Sequence, residues 1–222
     1  MEISYWQSRW RKDNTGWHMD MVYPPLPKLW KRLNIKSESR ILVPLCGKSL
    51  DLHWLAEHSQ KVIGVDVSHK ALHTVMEKYP ETFSQTSSHN FTVYKSSSLE
   101  LWEGDFMKLP TKEITPIDLV YDKASIIALP PKMRPQYAQK ILDLCGNTTR
   151  ILLQTFEYIQ EEMNGPPFSV DEKELQKLFG HNFRLQLMHE QSKLEELEPF
   201  QQRGLSSYLT EQVFYLTPLN RD

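Results

Sequence analysis

The sequence predicts an α/β fold on an open, doubly wound sheet, and three observations carry that expectation. Short β-branched, apolar runs recur without polar alternation, the pattern of strands covered on both faces. Helix-like segments separate most of them, as parallel crossovers require. The last two strand-like runs are joined by a loop without a clear helix, so the final strand is expected to run antiparallel.

The first such run is Arg40–Pro44, followed by a helix over Ser49–Glu57 with Leu50, Leu52, Trp54 and Leu55 among polar residues. Lys61–Asp66 is the second run, and Ser68 is placed to cap a helix reaching about Lys78. The polar stretch Ser84–Asn90 reads as a surface loop. A weaker strand near Phe91–Tyr94 and a segment at Leu99–Trp102 lead into Gly104-Asp105. Ile117–Tyr121 is the next strong run, then a helix over Arg134–Leu144 ended by Gly146, then the strand Arg150–Phe156. Ser169 or Asp171 caps a helix carrying Leu175, Leu178 and Phe179, and Phe183–Met188 and Gln212–Thr217 are the last strands. No internal linker interrupts this order, and 222 residues suit one good-sized domain, 1–222.

Composition narrows the function. Lys plus Arg total 26 against 28 Asp plus Glu, a net charge of −2, which offers no global support for tight duplex nucleic-acid binding. No apolar run reaches membrane-spanning length. The charged N-terminal stretch carries no export signal, and Cys46 and Cys145 give no disulfide framework, so a reducing cytoplasmic setting is expected. No spacing of His and Cys suits a metal, and none is expected.

Ligands of such sheets bind beyond the carboxyl ends of the strands. Pro44–Ser49 follows the first strand, Asp66 ends the second, Gly104-Asp105-Phe106 follows the third, and Asp122–Ser125 follows the fourth. Gly47 precedes Asp66 by 19 residues, close to the gap between a glycine turn and a ribose-gripping carboxylate. The pattern G-x-G-x-x-G is absent, which counts against a pyrophosphate-bearing dinucleotide. Gly47-Lys48-Ser49 lacks the earlier glycine of a phosphate-binding loop, and Tyr137 and Lys140 are three apart, not four. Class I methyltransferases share the sheet and the acidic residue, and their cofactor has no phosphate to cradle. Gly47 also reads as a simple turn, and Asp66 as a capping residue. Trp6 and Trp10 share one face of a short N-terminal helix, with Trp17 beyond. They either pack over the sheet or form an aromatic lid suited to a sulfonium cation. Cys46 reads as a small turn residue, since no base is identifiable beside it.

Several strings together are specific. Tyr5-Trp6-Gln7-Ser8-Arg9-Trp10, Gly16-Trp17-His18 and Val43-Pro44-Leu45-Cys46-Gly47-Lys48-Ser49 resemble the thiopurine S-methyltransferase family. So do the segment from Val62 to Ser68, the segment from Asp118 to Ala124, and Gly165-Pro166-Pro167-Phe168, in the compact form of bacterial members. The resemblance implies a Rossmann-like class I S-adenosylmethionine-dependent methyltransferase, with a mostly parallel seven-stranded sheet whose last strand is antiparallel. It implies cofactor contacts at Trp10, Leu45, Gly47, Asp66, Asp105, Phe106 and Lys123, under an aromatic cap formed by residues 1–35. Trp17, and with it Arg203, would face the acceptor. The family commonly has Glu where this chain has Asp66 and Arg where it has Lys123; Lys keeps the charge but lacks the planar two-pronged donor.

The reaction expected is methyl transfer from S-adenosyl-L-methionine to an aromatic or heterocyclic thiol such as a thiopurine, with selenium or tellurium compounds as further acceptors. Lys123 would favour the thiolate electrostatically. The partner is then a small molecule, with no nucleic acid and no membrane, and the chain a monomer. The alternatives are a small-molecule O- or N-methyltransferase on the same fold, a base-modifying nucleic-acid methyltransferase, and a catalytically silent cofactor-binding protein.

Overall fold

The computed structural model describes residues 3–219. Residues 1, 2 and 220–222, the ends of the expected domain and the start of the expected cap, lie outside the described residues. The chain divides into two compact units, 1–119 and 120–222.

The first unit opens with helices α1 (Ile3–Arg11) and α2 (Pro25–Leu33). Strand β1 (Arg40–Pro44), helix α3 (Asp51–His58), strand β2 (Lys61–Asp66) and helix α4 (His69–Lys78) follow. Then come β3 (Ser84–Ser88), β4 (Phe91–Lys95), β5 (Leu99–Glu103) and the single turn α5 (Thr111–Ile114). The strands lie in the order β3-β4-β5-β2-β1. Both β1 with β2 and β2 with β5 pair in parallel, with α3 as the first crossover. Ile41, Leu42, Val62, Ile63 and Val65 are all fully or almost fully buried, whichever face they point to. That is why these runs show no polar alternation. Ser68 caps α4 as its spacing predicts, its hydroxyl accepting from the Ala71 amide at 3.2 Å.

One expectation is corrected here. Ser84–Asn90 is not all loop, because Ser84–Ser88 is the strand β3, antiparallel to β4 from Ser84↔Lys95 to Ser88↔Phe91. Its register is supplied by the partner backbone and not by a buried face, since most of its side chains are exposed. Hydrophobic periodicity is blind to such a strand, and its polar side chains suit a sheet edge.

The second unit begins within β6 (Leu119–Asp122) and continues through α6 (Arg134–Leu144), β7 (Arg150–Glu157), α7 (Glu172–Phe179), β8 (Phe183–Ser192), α8 (Glu198–Gln201) and β9 (Thr210–Pro218). Its strand order is β6-β7-β9-β8. Strand β9 is antiparallel to both β7 and β8, so it is the reversed strand that the missing crossover helix predicts. Asp171, not Ser169, caps α7, accepting from the Glu174 amide at 2.7 Å. Arg134, 1% exposed, donates through Nε to the Leu129 carbonyl and through Nη1 to Glu174. Strands β5, β2 and β1 in one unit and β6, β7, β9 and β8 in the other make up the seven expected of the fold; β4 is the weaker strand expected near Phe91–Tyr94, and β3 alone is an addition.

Candidate cofactor and acceptor site

The carboxyl ends of β1, β2 and β5 meet around Asp66. After β1 the chain turns through Leu45 (φ 46) and Gly47 (φ 54), both in the left-handed region. A leucine there is strained, and such strain is held only where the surroundings impose it. The Cys46 amide bonds the Val65 carbonyl at 3.0 Å, fastening the turn to β2. The Gly47 amide donates to Asp66 Oδ2 at 2.8 Å, and the Ser68 amide donates to Oδ1 at 2.8 Å. The Asp66 main-chain carbonyl accepts from Gly104 at 2.9 Å, tying in the end of β5. Asp105 then accepts from the Met107 amide, and Phe106 is buried. Leu45, Gly47, Asp66, Asp105 and Phe106 thus belong to one group of strand ends.

Asp66 is only 6% exposed, and burial pushes its carboxyl up to about 6 against the opposing pull of the Gly47 and Ser68 amides. It is mostly ionised at neutral pH, and each oxygen keeps a further lone pair for an incoming hydroxyl. Cys46 is buried, with its thiol pushed well above the usual range. A Cβ on Gly64 would lie 3.0 Å from Cys46 Sγ, so Cys46 packs against β2 as a small turn residue.

Helix α1 lies over this turn. Trp10 is 5% exposed, and a Cβ on Gly47 would stand 2.8 Å from its ring. The absent side chain at Gly47 is what lets the indole rest on the turn. Trp17 meets both Trp6 and Trp10 edge-on, with centroids 5.3 and 5.6 Å apart. Gln7 reaches the Val67 carbonyl, and Lys70 pairs with Asp13 at 2.6 Å. Behind the cap, Asp51 of α3 accepts from the Tyr23 amide at 2.7 Å.

Lys123 and Arg203 belong to the second unit. Lys123 directly follows β6, and its neighbour Asp122 is buried. The Asp122 carboxylate accepts from the Tyr137 hydroxyl at 2.7 Å and from the Ser125 and Ile126 amides. Burial pushes Asp122 up to about 6. Arg203 donates to the main-chain carbonyls of Asn164 and Pro166, on either side of Gly165, and stacks on Phe200. Sequence reasoning passed over Arg9, whose guanidinium lies 5.3 Å from the Trp17 ring centroid and 5.9 Å from that of Tyr5. The four-residue spacing from Tyr5 was the available signal.

Among the described residues, no group of three or more His, Cys, Asp or Glu could hold a metal ion. No helix among them is long and apolar enough to cross a membrane.

Comparison with known proteins adds two findings. The family model described as thiopurine S-methyltransferase matches residues 1–218. The chain is 39% identical over 208 residues to a probable thiopurine S-methyltransferase of Yarrowia lipolytica, covering 92% of this chain and 95% of that one. It is 39% identical over 216 residues to a thiopurine S-methyltransferase of Pseudomonas fluorescens strain SBW25, covering 97% and 99%. Among solved structures, a SAM-dependent methyltransferase from Anabaena variabilis superposes with a TM-score of 0.69 at 14% identity, covering 98% of this chain and 95% of that one. A Burkholderia thailandensis 1,6-didemethyltoxoflavin-N1-methyltransferase, solved with S-adenosylhomocysteine, gives 0.63 at 15%, covering 98% and 87%. At these identities the structures speak to the fold, which is Rossmann-like and of the class I methyltransferase type.

Proposed function

This chain belongs to the thiopurine S-methyltransferase family, and we propose that it moves the methyl group of S-adenosyl-L-methionine to the sulfur of a small aromatic or heterocyclic thiol. When bound, the cofactor supplies an electrophilic methyl group on a positively charged sulfur. The observation that carries the reading is Asp66: a carboxylate at a strand end, hydrogen-bonded to a left-handed glycine turn on which an indole rests.

The residues present fit such a group. Asp66 offers acceptors to the two ribose hydroxyls, and Gly47 leaves no side chain between its backbone and the Trp10 ring. The turn holds one glycine and no phosphate cradle, which suits an adenosyl group without phosphate. Asp105 and Phe106 would flank the adenine, with Leu45 and Trp10 completing the contacts, and Lys123 keeps the cofactor role that the family resemblance implies for it. Residues up to 35 would act as the cap over this site. The family match crosses both units, which supports reading them as one methyltransferase domain.

At the acceptor, the thiolate is the nucleophilic form, and acidic thiols reach it near neutral pH without a strong general base. Lys123 favours that anion electrostatically. Trp10 and Trp17 exclude water and hold the acceptor in line, where orientation supplies much of the rate. Trp17 and Arg203 are assigned to the acceptor. The near-balanced charge, −2, supports a small-molecule acceptor over a nucleic acid, with the chain a cytoplasmic monomer.

The test is calorimetric titration with S-adenosylhomocysteine. The reading expects binding by the intact protein and strong weakening by Asp66→Ala; equal affinity in both removes Asp66 from the ribose role.

A further inference from the structure

The N-terminal cap carries its own cation. Arg9 lies on α1 one turn after Tyr5, within cation–π range of the Tyr5 and Trp17 rings. Its Nε is buried, and no hydrogen-bond acceptor meets it among the described residues. A buried N–H without an acceptor is costly, and it is most strongly satisfied by a charged oxygen or sulfur. A guanidinium held against aromatic faces still points its N–H donors outward in its own plane, so the stacking leaves that edge available for an anion.

The surroundings favour an anion as well. Arg9 and Arg11 close the last turn of α1, its first turn holds no acidic residue among those described, and Lys12 follows. The nearby carboxylate of Asp13 is engaged by Lys70. The arrangement is also continuous with the cofactor turn: Gly47 touches Trp10, Trp10 meets Trp17, and Trp17 lies against Arg9. Two indoles thus join this cation to the cofactor turn.

We propose that Arg9, held by Tyr5 and Trp17, is a specificity-determining residue that binds an anionic substituent, such as a ring carboxylate, on the methyl acceptor. The inference rests on the functional reading above and narrows its substrate class to thiols bearing a negative group. Trp17 acts as the platform that orients the guanidinium, and its ring faces serve Arg9 before any ligand cation.

The experiment compares 3-mercaptobenzoate with 3-mercaptobenzamide, two thiols of one shape that differ in charge. The intact protein is expected to favour the carboxylate in kcat/KM by about tenfold, the size of one charge-assisted hydrogen bond. Arg9→Gln is expected to erase that ratio, and Arg9→Lys to keep part of it, since charge survives but the fork does not. Calorimetry with the two S-methylated products gives the same comparison without turnover, using the intact protein alone should the variants fail to fold. A ratio near one in the intact protein, or an equal loss on both thiols in Arg9→Gln, overturns the proposal. So does a fall in S-adenosylhomocysteine affinity with the thiol ratio intact, which would assign the anion to the cofactor's carboxylate. If no thiol is methylated while the product preference persists, the functional reading fails and the anion site stands.

Discussion

Cofactor affinity should report the titration of Asp66. Burial lifts its carboxyl to about 6, so lowering the pH from 7 to 5 converts an ionised acceptor into a largely protonated one. The protonated form has lost part of its capacity to accept from ribose hydroxyls. If only the ionised form binds, the dissociation constant rises about tenfold over that interval, equivalent to about 1.4 kcal/mol. Binding at pH 6 should then release about half a proton, visible as a dependence of the calorimetric heat on buffer ionisation enthalpy. Stability does not confound the measurement. Because the native pKa lies above the unfolded value of 3.8, this group's contribution is fully present below about pH 4 and is lost as pH rises through about 6, a change of about 3 kcal/mol. Acidification to pH 5 therefore strengthens the fold through Asp66. Asp66→Asn should abolish the pH step along with most of the affinity. Affinity that stays flat from pH 5 to 7.5 would refute this reasoning. A step that survives Asp66→Asn and vanishes in Asp122→Asn would refute it too, by assigning the proton to the other buried carboxylate near 6.

Three further outcomes are expected. Gly47→Ala forces a Cβ into the Trp10 ring at a left-handed φ, so it should lower unfolding stability by more than about 1 kcal/mol and weaken S-adenosylhomocysteine binding, read by denaturant titration and calorimetry. Lys123→Met should reduce kcat/KM for an acidic thiol by about tenfold, with little effect on one already fully ionised at the assay pH. Cys46→Ala should retain activity and cost about 1 kcal/mol of stability, because its thiol is buried against β2 and is held protonated.

Much of this architecture was legible because both faces of β1 and β2 are covered, which turns their sequence into uninterrupted apolar runs. The caps at Ser68 and Asp171 were readable for a local reason: one oxygen satisfies an amide three residues on. Strand β3 was not, since its pairing is backbone to backbone and its side chains are polar. Gly47 and Asp66 could be placed together from their spacing and strand ends, and an amide–carboxylate bond joins them. Arg9 was legible only in part, through its four-residue spacing from Tyr5. Its character comes from Trp17, eight residues on across a turn, and from an unsatisfied Nε that no sequence pattern encodes.

The most direct test supplies methyl-labelled S-adenosylmethionine with a panel of thiols, selenite, tellurite, phenols and amines, and follows where the label goes. Label should appear on sulfur, fastest with acidic aromatic thiols, and should be lost in Asp66→Ala. Bound cofactor with no label on any thiol, or label confined to oxygen or nitrogen acceptors, would contradict a sulfur-directed methyltransferase.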